Sequence, residues 1–408
     1  MSPSWSQRRE LELTCSADES DAADGGVVRG DRSWFRPGQL LVDRTTARLY
    51  ADSLARNEKQ DRGFDTREGL QSLDLIQVQL DPATDVIDLT RWIELDAARR
   101  DLGHQVVVGP NFCWRGEPIY HGGPGGEPSP EKRRDMPGAG KKRDPNDPCD
   151  IATLDTGIVD TLPRELMAAL RPDKNDADDL DVDQDGLLDT QNGHGSFVAG
   201  VVHQLAPELL VDPGKVLDST GLGDDASVTR ELLQTRAPVV NMSLGGYTED
   251  DRAPVAMASV IRLLAQTTVL VASAGNNGSD RPFWPAAFKG VVAVAAYDST
   301  GQSIVAAKFS NYGSWVDVCA PGVGVVSTFA TFPPDPNQAK AGEPVFEGWA
   351  RWDGTSFAAP QVAAVLAQLV QSGATARDAV ARFLDQECSY DAALVNYGLV
   401  HRPRITLT

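Results

Sequence analysis

Apolar positions along this chain fall into two regimes. Between residues 38 and 112 short runs alternate with amphipathic stretches. GQLLVD (38–43), LIQVQL (75–80) and QVVVGPNF (105–112) read as strands, while TTARLYADSLARNEK (45–59) and LTRWIELDAARRDLG (89–103) carry apolar residues at helical spacing. This pattern predicts a small α/β domain over residues 33–116. After residue 148 the runs change to DIATLD, PVVNMSL, TTVLVASAG and GVVAVAAY, with helical stretches such as PVAMASVIRLLAQ between them. Continuous Val/Ala/Leu runs suit strands covered on both faces, so residues 148–408 are expected to form a doubly wound, mostly parallel α/β sheet. In such sheets chemistry gathers beyond the carboxyl ends of the strands.

The remaining segments look different. Residues 1–32, with SADESDAADGG, offer nothing to bury and predict disorder. Residues 117–147 are dense in Gly, Pro and charge and predict a linker, whose KRR and KKR clusters are either solvated charge or exposed processing and docking points. The 408 residues carry 38 Lys plus Arg against 58 Asp plus Glu, and a net charge of −20 argues against nucleic acid as a partner. No apolar leader segment and no run near the roughly 20 apolar residues of a membrane span is present, so neither secretion nor a membrane is expected, and a cytoplasmic location follows as the expectation. The 5 cysteines, an odd number with no metal spacing, fit reduced thiols.

Candidate chemistry starts at GTSFAAPQVAAVLAQLV, residues 354–370, where Ser356 sits between a glycine and an apolar helix. It reads either as a helix cap or as a nucleophile beside unpaired N–H groups. Asp155 ends the run DIATLD before Thr156 and Gly157, as a turn residue or an orienting acid. His194 lies between glycines in NGHGSFVAG and reads as a packed histidine or a base, and Asn276 in SAGNNG as a turn residue or an oxyanion donor. Asp, then His, then Ser is one of the three chain orders known for a single acyl-transfer geometry.

LDTGI, NGHGSFVAG, NMSLGG, SAGNNG and DGTSFAAPQVA together resemble, in order and spacing, the motifs of the subtilisin-like serine proteases, over roughly residues 150–402. The resemblance implies that Asp155 orients His194, that His194 is general base and then acid, that Ser356 attacks the scissile carbonyl, and that Asn276 serves the oxyanion hole. It also implies S1 walls of Ser243, Leu244 and Gly245 on one side and Ala274 and Gly275 on the other. Ser196, Phe357 and Gln361 depart from the usual threonine, methionine and histidine without removing a proton-transfer group. The short stretch from Val201 to Leu217 implies loss of the calcium loop usual in secreted members. Asp181, Asp183, Asp185 and Asp189 instead begin a D-x-D-x-D-G pattern, which reads as a calcium site or a solvated acidic loop. The small domain looks like the ferredoxin-like propeptide of this family, an intramolecular inhibitor, with a target-recognition domain as its rival. The expectation is an intracellular serine endopeptidase, made as a zymogen, acting on protein or peptide substrates and needing no cofactor. A dedicated effector protease with one protein partner and a silent peptide-binding scaffold are the alternatives.

Overall fold

A computed structural model describes residues 28–29, 32–55, 70–102, 106–116, 127–138, 140, 144, 147–173, 175–182, 186–301, 303–333, 344–405 and 407. Of residues 1–32, assigned to disorder, 1–27 lie outside them, but Val28–Arg29 is a short strand pairing antiparallel with Trp34 and Phe35, a correction to that assignment. The chain divides into two compact units, one of residues 1–114, 223–234 and 246–263, the other of 115–222, 235–245 and 264–408.

In the smaller unit the strand Trp34–Asp43 pairs antiparallel with Leu75–Gln79 on one side and with Val108–Gly116 on the other. Asp43 ends the first strand and caps the helix Arg44–Leu49, its carboxylate accepting from the Thr46 N–H at 2.7 Å. A second short helix, Ala51–Ala55, follows, and the rest of the helix expected to residue 59 lies outside the described residues. The helix expected from residue 89 begins earlier, at Val86, because Asp85 caps it through the Asp88 N–H. Its buried residues Val86, Thr90, Ile93 and Ala97 recur at helical spacing on one stripe.

The domain boundary expected at residue 148 needs correction. Leu41, Leu70 and Leu75 share a core with Ala226 and Ala256, so the helices Asp225–Gln234 and Val255–Leu264 cover the face of the N-terminal strands. Polar ties reinforce this: Asn111 Oδ1 accepts from the Ala226 N–H at 3.1 Å, and Arg230 donates to Gln77 at 2.7 Å. A sheet has two faces to cover, and the helices among the described N-terminal residues do not cover both.

The larger unit is built on a sheet of nine strands among the described residues. Ile151–Leu154, Val239–Met242, Val269–Ser273, Val292–Asp298, Val318–Pro321 and Leu399–His401 run parallel through its centre. Their alternating side chains are nearly all buried, which is why the sequence shows continuous apolar runs there instead of a period of two. The helix Thr355–Gln371 packs on the central strands, and His194–Leu205 packs beside it. A separate hairpin of Val325–Phe332 and Phe346–Trp352 gains a third strand from Ser129–Pro130. The expected linker is therefore not all linker. Its residues 127–138 dock by strand pairing and by an ion pair from Glu131 to Arg351 at 2.8 Å, while residues 117–126 lie outside the described ones. Pro130 fits such an edge strand because the ladder asks nothing of its missing N–H.

Candidate active site

Asp155 follows the buried strand Ile151–Leu154 at its carboxyl end, with Oδ1 2.7 Å from His194 Nδ1. The same oxygen accepts from the Thr156 N–H at 2.8 Å, and both side chains are essentially fully buried, at 1% and 0% exposure. A carboxylate only accepts, so Nδ1 carries the proton and Nε2 is left basic. His194 opens its helix after Gly193, which takes the left-handed cap position at φ 77°. Gly195 is required by close approach, since a Cβ there would lie 2.2 Å from the Gly157 carbonyl oxygen.

Asp178 braces this pair from behind. Its Oδ2 accepts from the Gly193 N–H at 2.8 Å and from Thr156 Oγ1 at 3.1 Å, and Thr156 Oγ1 in turn accepts from the Gly195 N–H at 3.1 Å. Burial pushes its carboxyl up to about 7. The sequence hid this role among neighbouring acids. Trp352, edge-on at 5.5 Å between ring centroids, and Phe357 at 5.3 Å wall the His194 imidazole from the other side.

Ser356 is not a helix cap. Gly354 holds the cap position with no side-chain cap bond, and Ser356 is the second residue of the helix Thr355–Gln371. Its Oγ lies 3.4 Å from the Ser243 carbonyl oxygen, and Ser243 Oγ donates to the Ser356 carbonyl at 2.8 Å. His194 Nε2 has no hydrogen-bond partner, so the serine–histidine bond is not formed here. In ligand-free sites of this kind that bond is often long and tightens with substrate. Asn276 Oδ1 accepts from both the N–H and the Oγ1 of Thr355, each at 2.8 Å. The amide therefore turns its donor end, Nδ2, elsewhere, as an oxyanion site requires.

The residues assigned to the pocket walls are also placed. Gly275 donates its N–H to Thr355 Oγ1 at 3.1 Å, and the Ala274 carbonyl accepts from Asn311 at 2.8 Å. Leu244 and Gly245 form a short strand whose partner is the chain's own Gly116 and Arg115, antiparallel. Gly116 also donates to the Gly221 carbonyl at 3.0 Å, so this backbone is held from two sides. In the acidic loop Asp181 accepts from the Gly186 N–H at 2.9 Å and Asp189 from the Val182 N–H at 3.2 Å, while Asp183 and Asp185 lie outside the described residues. Carboxylates folded back on their own loop are turn scaffolding, and no group of three or more metal-ligating side chains occurs among the described residues. With Asp183 and Asp185 outside the described residues, the calcium reading of this loop stays an expectation, and no chemical step runs through a calcium ion.

Residues 149–384 match the Subtilase family, more than half of the chain. A thermophilic serine proteinase from Bacillus sp. (strain AK1) is 32% identical over 240 residues, 55% of this chain and 52% of that protein. A thermostable alkaline protease from Halalkalibacterium halodurans is 32% identical over 273 residues, covering 63% of this chain and 67% of the relative. The chain thus spans about half the length of the first relative and two thirds of the second. Among solved structures, fervidolysin from Fervidobacterium pennivorans, described as a keratinolytic enzyme related to subtilisin, aligns over 94% of this chain and 63% of its own, with a TM-score of 0.62 at 20% identity, a likeness of fold. With a parallel sheet that carries an aspartate, a histidine and a serine in this order at its carboxyl edge, and with the sequence match spanning all three, the chain belongs to the subtilase family.

Proposed function

We propose that the chain is a serine endopeptidase that cleaves protein or peptide substrates through an acyl-enzyme. The observation that carries this reading is the buried Asp155–His194 bond at 2.7 Å together with an Asn276 amide fixed by the neighbour of Ser356. His194 Nε2 takes the Ser356 proton as Oγ bonds to the scissile carbonyl carbon, and the tetrahedral oxyanion is met by Asn276 Nδ2 and the Ser356 N–H. Protonated His194 then gives its proton to the leaving amine as the C–N bond breaks. Water, deprotonated by the same histidine, hydrolyses the ester and frees Ser356.

The N-terminal residues restrain this chemistry in the intact chain. Support comes from Arg115 and Gly116, which pair with Leu244–Gly245, the edge where an extended substrate would add. A tethered strand acts at a millimolar-scale effective concentration, so weak intrinsic binding suffices. A reducing, cytoplasmic compartment is the proposed place of action, on the odd number of cysteines, 5, with no metal spacing.

One reagent tests both parts. A fluorophosphonate probe should label the wild type at Ser356, fail on Ser356→Ala, and react faster with Gly116→Val, whose side chain would collide with Leu217 3.0 Å from the glycine's Cβ position. Equal labelling of wild type and Ser356→Ala would overturn the site. Equal rates for wild type and Gly116→Val would overturn the restraint. Asn276→Ala should lose roughly 10² to 10³ in kcat with KM nearly unchanged, a magnitude the handful of measured oxyanion losses set for subtilisin itself.

A further inference from the structure

The smaller unit contains a cleft of its own, away from the groups assigned to catalysis. About 580 Å³ of space, part of it open to solvent, lies between the helix Val86–Arg99, residues 108–112 of the following strand, and residues 249–255. Ile87, Val108, Pro110, Phe112, Pro254 and Val255 give it an apolar lining. Neither proline has an N–H to satisfy, and Gly109 lets Val255 close in to 3.2 Å from where a Cβ would sit.

One polar side chain interrupts that lining. Thr90 is 5% exposed, yet its Oγ1 has no hydrogen-bond partner. A threonine within a helix ordinarily returns its hydroxyl to a carbonyl one turn back, and this one does not. A buried hydroxyl left alone is costly, and a guest that hydrogen-bonds to it recovers that cost.

The solvent edge of the cleft is acidic. Arg252 donates to both oxygens of Glu94, at 3.0 and 3.1 Å, and also to Asp250, so one guanidinium stands between two carboxylates. Arg91, the other cation of the lining, has Asp88 at 3.5 Å. Glu249 Oε2 accepts from the Arg32 N–H at 3.1 Å and the Ser33 hydroxyl at 2.7 Å, while the Arg32 guanidinium pairs with Asp251 at 3.3 Å. Five carboxylates (Asp88, Glu94, Glu249, Asp250 and Asp251) thus meet three guanidinium groups, and two negative charges are left over.

We propose that this cleft binds a small organic cation, an aromatic body that carries a ring N–H donor and a primary ammonium group. The ring fills the apolar lining and donates to Thr90 Oγ1, and the ammonium group meets Glu249 and Asp250 at the solvent edge. An anion of the same shape faces the surplus carboxylates instead and is rejected. Residues 249–255 lie in the stretch that matches the family and residues 87–112 outside it, so a guest that touches both holds the N-terminal segment to them by mass action. The inference goes beyond the peptidase reading and does not depend on it.

Calorimetry on the full-length chain carrying Ser356→Ala, which prevents self-digestion, tests the site. The probes are tryptamine and indole-3-propionate, which share a ring and tether and end in an ammonium or a carboxylate group. Tryptamine should bind saturably, at least tenfold tighter than indole-3-propionate, and should raise the melting temperature as it saturates. Glu249→Gln should weaken tryptamine at least threefold. Thr90→Val keeps the shape and removes the unpartnered hydroxyl. It should leave the melting temperature of the ligand-free chain unchanged or higher while weakening tryptamine at least threefold, a combination that a merely structural threonine does not produce. Equal affinities for the two probes, no saturable binding of tryptamine at millimolar concentration, or binding that either substitution leaves unchanged overturns the assignment.

Discussion

The Asn276 side chain has two chemically opposite ends, and Thr355 holds the oxygen end, which leaves the amide nitrogen for the oxyanion we propose at Ser356. The Thr355 N–H and hydroxyl both donate to Oδ1, and Thr355 Oγ1 also accepts from the Gly275 N–H, so one threonine fixes the amide and the turn that carries it. Thr355→Val keeps the shape and the backbone donor but removes the hydroxyl. Of the two hydrogen bonds lost with it, the one to the Asn276 amide is worth about 1 kcal/mol, which should lower kcat roughly fivefold with KM nearly unchanged, because the amide matters most when the oxyanion exists. Thr355→Ser should recover most of the rate. Steady-state kinetics on one peptide substrate for the three proteins check this, and a rise in KM at constant kcat would mean that Thr355 serves ground-state binding instead. The threonine was invisible as a functional residue in the sequence because it reads as part of a helix start, next to a serine that attracts the attention.

At the scale of elements, the sequence made the parallel strands and the helices after His194 and Ser356 legible because their apolar runs are long and unbroken. What it hid depends on partners far along the chain. The composition of residues 117–147 is that of a linker, yet residues 127–138 gain order from an edge strand more than two hundred positions away. No local propensity predicts this, since Glu131 owes its place to Arg351 and to the Trp349 carbonyl, which accepts from its N–H at 3.1 Å. The N-terminal domain was likewise legible as strands and helices, but not as a unit that takes two helices from residues 225–264, because the burial of Ala226 and Ala256 is decided by Leu41 and Leu75. Further down the docked segment, His203 Nε2 donates to the Pro137 carbonyl at 3.0 Å. Arg351 Nε and Nη2 both reach Glu131 Oε2, at 3.1 and 2.8 Å, in a half-exposed setting where a pair contributes of order 1 kcal/mol. Glu131→Ala should therefore open the segment several-fold more often and raise the rate of tryptic cleavage after Lys132 and Arg133 about three- to tenfold. Mass spectrometry of a limited digest reads the sites. An unchanged rate would show that the strand pairing alone holds the segment.

Across the whole molecule the net charge of −20 and a group of buried carboxyls act in the same direction on stability. Burial pushes Asp178 up to about 7, Asp212 to about 6 and Asp225 to about 8, and Asp176, Asp317 and Asp353 are raised as well. A carboxyl whose folded value lies above its ordinary one near 3.8 binds its proton more tightly folded than unfolded. As pH rises from about 4 through about 8 the unfolded chain releases these protons first, so each group withdraws stability over that window and nothing further above it. His203 and His401, held below the usual imidazole value by burial, work the other way and weaken the fold as pH falls below about 6.5. The two trends place the stability maximum in mildly acidic solution, and growing self-repulsion steepens the alkaline side. The melting temperature should be higher at pH 6 than at pH 8.5. Asp178→Asn isolates one contributor, because an amide oxygen in place of Oδ2 still accepts from Gly193 and Thr156 while the unpartnered Oδ1 is replaced by a neutral nitrogen. That variant should melt higher than wild type at pH 8.5 and close to it at pH 5, narrowing the gap between the two pH values. A gap of unchanged size in calorimetric scans would mean that Asp178 keeps its charge in the folded protein and that the slope comes from elsewhere.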